Sequence, residues 1–457
     1  MKNSLFLKLL VSGVLVLLLL VPLALVRGVI EEREKRSAGA VAEVTSTWGG
    51  AQTVVGPVLS VPYRTFRVDE KGRRHTCTNR ALFLPDRLEV TGELSPEIRQ
   101  RGIFQVVLYR GDLVLSGTMP HPDLSPLVPA DAEVLWSEAT LAVGLSDTRG
   151  VKEKLSVAWD GKELPMEPGT AGSPLSDTGV HLPLHSLSTG PAADHPFRLR
   201  LRLQGSGSLS VAPLGAETVA LLRSPWKDPG FVGAFLPDRR SIGAGGFTAE
   251  WRVSSFGRSY PQGWTTESVN ADARSAAIGG SSFGVRLVLP ADHYQRALRS
   301  VKYAVLFVVL TFVAFFLFEL LASLRLHPLH YLLVGAALAL FYLLLVSLAE
   351  QLGFPLAYLA ASAAIVGLVG LYAAAILGRR LRGLAIGGLL AALYGSLYVV
   401  VNAEDYALLL GSVALFVVLA LVMWLTRKVD WWALSTPAPA RVPPPPPVWA
   451  RPSPPPA

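Results

Sequence analysis

The sequence has little cysteine and little charge. Cys77 is the single cysteine among 457 residues, so no intrachain disulfide can form. A domain facing an oxidising compartment would therefore depend on its hydrophobic core, and Cys77 is expected to be a plain thiol in a strand. Charged residues make up 17% of the chain, against about 25% in typical soluble proteins. Apolar residues reach 51% and concentrate in 5–26 and 303–426, which indicates a membrane protein with a large non-membrane domain.

Catalytic and metal-binding motifs are also scarce. The sequence has neither a P-loop nor an H-E-x-x-H motif. Residues 280–284, Gly-Ser-Ser-Phe-Gly, match the G-x-S-x-G pattern, but a predicted strand follows the serine where a nucleophile elbow needs a helix. Histidines 181, 185 and 195 fit no metal template, and His75 with Cys77 is too small a set for zinc. The sequence therefore predicts no enzyme, no cofactor and no metal site.

The net charge of +8 does not indicate a nucleic-acid partner. Much of the positive excess lies beside the apolar segments and in the C-terminal tail, where it sets topology and touches anionic lipid. The sequence has no basic stripe interleaved with stacking aromatics. The lipid bilayer is the partner that composition predicts.

Six stretches are long and apolar enough to cross a bilayer. They are residues 5–26, 303–324, 329–349, 354–377, 381–401 and 406–426. The first exceeds the usual length of a signal-peptide core and lacks a small-residue cleavage site, so a retained anchor is expected. The predicted fold class is a helical bundle of six transmembrane helices with a large β-rich extracytoplasmic domain between helices 1 and 2. The predicted parts are an anchor (1–27), a β-rich periplasmic domain with a helical stem (28–300), a five-helix membrane domain (301–428) and a Pro-rich disordered cytoplasmic tail (429–457).

Basic residues in the short loops predict the orientation. The loops expected in the cytoplasm contain Arg325, His327, His330, Arg379, Arg380, Arg382, Arg427 and Lys428. The alternate loops carry Glu350 and the run 402–405, with no Lys or Arg. Both termini are then cytoplasmic and residues 28–300 lie outside. The cluster Arg27, Arg33, Lys35 and Arg36 after the first helix opposes this orientation, but the five C-terminal segments agree with one another.

The intervening domain has period-two patterns typical of strands. Strands are predicted at 54–63, 82–84, 103–109, 112–115, 139–143, 155–159, 197–203, 248–253 and 284–289. Helices are predicted at 28–48, 96–101 and 213–222, and an edge strand or turn at 205–213. The pentapeptide at 83–87 recurs identically at 235–239, which indicates either a duplicated β unit or two similar strand-end turns.

Acidic residues in or near the apolar segments are the candidate functional residues. Glu319 lies within an apolar helix, where a charge is costly and is a functional candidate by default. The alternative interpretation is a carboxylate that reaches the membrane–water interface near Arg325. In that case Glu319→Gln is expected to have almost no effect on activity. Glu350, Glu404 and Asp405 lie at helix ends and are expected to be solvated. Small residues in the fourth and fifth helices predict a closely packed bundle.

Several runs of the sequence resemble the CreD family of cell envelope integrity proteins of the bacterial inner membrane. They are 6–36, 48–59, 102–117, 249–253, 327–350, 404–412 and 426–431, so the resemblance covers about residues 4–432. It does not include the Pro-rich tail. The resemblance implies an inner-membrane location, a role in envelope stress and regulation with the Cre two-component system, without a catalytic reaction to assign.

Two functions from different classes follow. The first is a non-enzymatic envelope-integrity protein whose outer domain binds an unidentified envelope component. The second is a transporter or ion-coupled channel that uses Glu319, although the sequence has no inverted repeat to support it. The first is preferred.

Overall fold

The structure is a computed structural model that describes residues 5–68, 74–185, 187, 193–268, 270–289, 293–321, 326–403 and 406–427. The chain divides into two compact units. One comprises Met1–Glu32 together with His293–Ala457, and the other is Arg33–Asp292.

The described residues form eight α-helices. They are α1 (Leu5–Trp48), α2 (Ala271–Gly280), α3 (His293–Lys302), α4 (Ala304–Leu321), α5 (Pro328–Leu352), α6 (Phe354–Ile376), α7 (Arg380–Asn402) and α8 (Ala407–Thr426). Each of the six apolar segments found in the sequence overlaps one of these helices, and residues 322–324 of the second segment lie outside the described residues. Residues 404 and 405 and the Pro-rich tail are outside the described residues.

Strands build the unit Arg33–Asp292. They are β1 (Gln52–Val68), β2 (Arg74–Phe83), β3 (Arg87–Arg101), β4 (Phe104–Met119), β5 (Glu133–Val134), β6 (Thr140–Leu145), β7 (Ser156–Trp159), β8 (Lys162–Pro165), β9 (Glu167–Pro168), β10 (Gly179–Pro183), β11 (His195–Ser206), β12 (Ser208–Val211), β13 (Glu217–Ser224), β14 (Pro229–Gly233), β15 (Arg239–Gly243), β16 (Gly246–Ser254), β17 (Gly263–Thr265) and β18 (Phe283–Leu287). Sheet A has the order β14-β18-β12-β1-β6-β10-β9, with β2 and β5 also paired to β1 and β17 paired to β2. Sheet B has the order β15-β16-β13-β3-β4-β11-β7-β8.

The two sheets share one hydrophobic core. Strand β11 shows the pattern that produces it, because Phe197, Leu199 and Leu201 are buried while the intervening arginines are exposed. Trp251 of sheet B and Phe283 of sheet A are both fully buried, with ring centroids 5.4 Å apart. This alternation places one face of each sheet inward and makes the unit a β-sandwich.

Most of the predicted strands are confirmed, and 103–109 and 112–115 prove to be one strand, β4. Two predicted helices are wrong. Residues 96–101 belong to β3 and pair with 104–109, and residues 217–222 belong to β13, which lies between β16 and β3. The edge assignment at 205–213 is also wrong, because β12 lies between β18 and β1. In each case pairing with distant strands prevails over local pattern.

The predicted stem is confirmed, since α1 continues to Trp48. It ends where Gly49 takes a φ of +142°, a conformation open to glycine. The guanidinium of Arg99 lies 4.2 Å from the centre of the Trp48 ring, and Asp147 Oδ2 accepts the Gly50 N–H at 2.8 Å. Arg149 donates to the carbonyl oxygen of Ser46. These contacts fix the end of the stem to the β-sandwich.

The repeated pentapeptide occupies comparable places. Its first copy connects β2 of sheet A to β3, and its second connects β14 of sheet A to β15. Strands β3 and β15 each begin an antiparallel hairpin in sheet B. Both copies therefore connect a strand of sheet A to a strand of sheet B. That the two copies belong to a duplicated β unit stays a prediction.

Four described helices are long and apolar enough to cross a membrane. They lie within Leu10–Trp48, Pro328–Leu352, Phe354–Ile376 and Arg380–Asn402. Helices α3 and α4, bent by 45°, form a fifth if taken together, and α8 contains the shorter apolar helix Leu409–Trp424. Helices α6 and α7 approach closely where Gly370 lies against Gly383 and Gly387. This confirms the predicted small-residue packing at these positions.

Candidate functional site

Glu319 accepts two hydrogen bonds from described residues at the start of α5 and just before it. Its side chain is on α4 and only 6% of the residue surface is exposed. Oε1 accepts the backbone N–H of Leu326 at 3.2 Å, and Oε2 accepts the hydroxyl of Tyr331 at 3.0 Å. The carboxylate thus ties the end of one helix to the start of the next. Arg325, its expected neighbour, lies outside the described residues.

The N-terminal cap of α5 and two phenylalanine rings position Tyr331. His327 caps the helix by accepting the Leu329 N–H at its Nδ1, 3.2 Å away, and Pro328 occupies the first helical position, where its missing N–H is not needed. The rings of Phe312 and Phe315 lie 5.4 and 6.1 Å from that of Tyr331. The phenol body is therefore enclosed by apolar rings while its hydroxyl reaches Glu319.

Glu350 forms a second pair of the same kind at the other end of α5. Its Oε1 accepts the hydroxyl of Tyr294 at 2.9 Å. Tyr294 belongs to α3 and is 3% exposed, whereas Glu350 is half-buried. The sequence placed Glu350 in water at a helix end. The structure instead brings it to a buried tyrosine.

The two pairs are far apart along α5. Tyr331 and Glu350 are 19 residues apart, which at 1.5 Å per residue is about 28 Å, close to the roughly 30 Å hydrocarbon thickness of a bilayer. No Asp, Glu, Lys, Arg or His occurs in the sequence between them. At this separation the two carboxylates cannot pass a proton directly to each other, and each one links α5 to a neighbouring helix.

The sequence pattern predicts Glu319 and Glu350 as candidate residues but not their tyrosine partners. A tyrosine in the first or last turn of an apolar helix can bury its ring and still use its hydroxyl, and that was the available signal for Tyr331. Tyr294 could not be found this way, because α3 itself was not predicted. Glu404 and Asp405 lie outside the described residues.

The remaining candidate residues do not assemble into a catalytic centre among the described residues. Ser282 lies between α2 and β18, in the order helix then strand, and its hydroxyl donates to Gly279 O at 2.7 Å. This order is opposite to that of a nucleophile elbow. Cys77 is a half-buried free thiol in β2. Within the described ranges, no group of three or more His, Cys, Asp or Glu side chains is arranged to hold a metal ion.

Comparison with known proteins decides the family. The family model described as "Inner membrane protein CreD" matches residues 4–432. The chain belongs to the CreD family. A relative from Escherichia coli (strain K12), named "Inner membrane protein CreD", is 35% identical over 451 residues and is matched over 96% of both chains. Family membership and the apolar helices together make this an inner membrane protein with a large β-rich domain.

Proposed function

We propose that this CreD-family protein is a non-enzymatic component of the bacterial inner membrane that supports envelope integrity and the stress response. In this proposal the β-sandwich binds an envelope component and the helical unit anchors it. The observation that supports binding is a polar cleft in the β-sandwich, at the outer face of sheet B.

The cleft has a volume of about 360 Å³. It is lined by Glu93, Ser95, Arg110, Gly111, Asp112, Gly150, Lys152, Glu153, Arg202, Leu203 and Gln204. Three of these side chains are cations and three are carboxylates. A lining of both signs fits a polar or zwitterionic ligand better than a hydrocarbon chain.

Strand register explains the charges. Arg202 of β11 lies opposite Asp112 of β4, and its Nη1 also contacts Glu153 at 3.1 Å. Arg200 Nε donates to Asp112 at 2.9 Å, and this hydrogen bond lowers the pKa of that carboxyl group. Asp112 therefore stays ionised at neutral pH. The contacts among Arg202, Asp112 and Glu153 already order these side chains, which reduces the entropy lost on binding.

Photo-crosslinking in intact cells tests this proposal. A photoreactive amino acid replaces Lys152 in the cleft, and a matched control replaces Arg239 at the exposed far edge of sheet B. We expect one adduct from position 152 that is absent from position 239 and is lost on Arg202→Glu. Identical adducts from both positions, or adducts unaffected by Arg202→Glu, would contradict binding in the cleft.

We also propose six membrane helices, with both termini cytoplasmic and residues 28–300 outside. Basic loop residues such as Arg379 and Arg382 support this orientation. The test is a Cys77→Ser background with cysteine at position 200, treated with a thiol reagent that enters the periplasm only. Labelling in intact cells is expected. Labelling only after the inner membrane is opened would reverse the topology.

A further inference from the structure

Three strands of the β-sandwich bring an aspartate and two histidines together, remote in sequence from one another. His195 is the first residue of β11, and β11 pairs with β4 and with β7. Asp160 directly follows β7, and its N–H donates to Pro196 O at 3.0 Å. His121 follows β4 by two residues. No local pattern in the sequence predicts this cluster, because it depends on which strands are neighbours.

The hydrogen bonds and ring contacts fix how the two imidazoles face each other. His195 Nδ1 lies 2.8 Å from Asp160 Oδ2, so Nδ1 carries the hydrogen and donates it. In a neutral ring this leaves a lone pair on Nε2, which lies 3.5 Å from His121 Nδ1. The His195 ring stacks on Trp159 and the His121 ring on Trp136, with centroid distances of 5.1 and 6.2 Å.

The distance between the two nitrogens is compatible with a shared cation. It is longer than the roughly 2.7–3.2 Å of a usual protein hydrogen bond donated by N–H. Two Zn–N bonds of about 2.0–2.1 Å at a tetrahedral angle place their nitrogens about 3.3–3.4 Å apart. The observed 3.5 Å is close to that value. A histidine that ligates a metal commonly donates its other N–H to a carboxylate, as His195 does to Asp160.

We propose that His121 and His195 form a binding site for a divalent transition metal such as Zn²⁺, with Asp160 as a positioning residue. The two nitrogens leave the remaining coordination positions to water or to a group from a bound molecule, so affinity should be lower than at a three-ligand site. The site is independent of the function proposed above, since it requires neither the polar cleft nor a particular topology.

At Asp160 a substitution can remove the charge and leave the backbone conformation unchanged. Its φ of +50° lies in the left-handed region, which asparagine tolerates about as well as aspartate. Asp160→Asn therefore removes the charge without adding backbone strain. His185 serves as the control histidine, because its Nδ1 lies 3.0 Å from Ser137 O rather than facing another imidazole.

The test is isothermal titration of Zn²⁺ into the full-length, untagged, metal-free protein in detergent. We expect one Zn²⁺ per chain, loss of this binding in His121→Ala and in His195→Ala, and unchanged binding in His185→Ala. Asp160→Asn should weaken binding about tenfold, with the unfolding temperature of the metal-free protein unchanged. Absence of saturable binding at millimolar Zn²⁺ would overturn the proposal, as would equal binding by the histidine variants and the parent. If the histidine variants fail to fold, unaltered affinity in folded Asp160→Asn would overturn it.

Discussion

Glu319 allows a structural role to be separated from an ion-coupling role by the choice of substitution. Glutamine has the shape of glutamate, so in Glu319→Gln the amide oxygen can accept the Leu326 N–H. The amide nitrogen can donate to the Tyr331 hydroxyl, which is able to accept. Both contacts are kept in neutral form, and the free energy of unfolding should change by about 1 kcal/mol or less.

Removal of the side chain should behave differently. In Glu319→Ala, the Leu326 N–H and the Tyr331 hydroxyl both lose their acceptor at a site where Glu319 is 6% exposed. A buried donor left without a partner costs about 1–3 kcal/mol, so two cost about 2–6 kcal/mol. Tyr331→Phe removes one hydrogen bond to a carboxylate and should cost about 1.5–3 kcal/mol.

The assay combines unfolding of the purified proteins in detergent with membrane abundance and complementation of an envelope-stress phenotype in a deletion strain. The expected order of stability is parent and Glu319→Gln, then Tyr331→Phe, then Glu319→Ala. Complementation should follow abundance across this series. The reasoning is refuted if Glu319→Gln is as abundant and as stable as the parent yet fails to complement, because the charge itself would then be required, as an ion-coupled transporter demands.

Three further predictions concern packing and charge. Gly383→Val should lower the unfolding temperature and reduce the free energy of unfolding by about 2–3 kcal/mol, because a Cβ there would lie 2.6 Å from the Cα of Ala374. Gly388→Val is the control and should unfold like the parent, because the space around its Cβ is open. Tyr342→Phe should leave stability unchanged or raise it by about 1 kcal/mol, since this buried hydroxyl has no hydrogen-bond partner among the described residues. A clearly lower unfolding temperature would show that the hydroxyl has a partner. Asp147, 10% exposed, accepts a hydrogen bond from Arg149 that lowers its pKa to about 2, so its contribution, about 1–2 kcal/mol, is present above pH 4 and is lost as the pH falls toward 2. Asp147→Asn should therefore destabilise the protein at pH 7 and not at pH 2, and an equal difference at both pH values would exclude the charge as the cause.

The sequence predicts secondary structure and burial well where both depend on nearby residues in the chain. Leu199 and Leu201 alternate with arginines in β11, and that period of two predicts a strand whatever its partners are. The apolar residues of α5 and α6 predict helices of membrane-spanning length in the same way. Small residues such as Gly370 and Gly383 indicated close helix packing before the contact was known.

The failures share a physical cause. Residues 96–101 and 217–222 became strands because β4, β3 and β16 supply their hydrogen-bond partners. Residues 208–211 became an interior strand because β1 and β18 flank them. These partners are distant in sequence, and the free energy of pairing with them exceeds the small local preference of a few residues.

The sequence by itself determined the division into apolar helices and a β-rich domain, the stem that ends at Trp48, and the CreD resemblance. Hydrophobic burial depends on composition and period, and both are local properties of the chain. Only the tertiary structure decided that Glu319 meets Tyr331, that Glu350 meets Tyr294, and that His195 lies between Asp160 and His121. Hydrogen bonds are short and directional, so their partners are chosen by the packing of helices and the order of strands rather than by any local pattern.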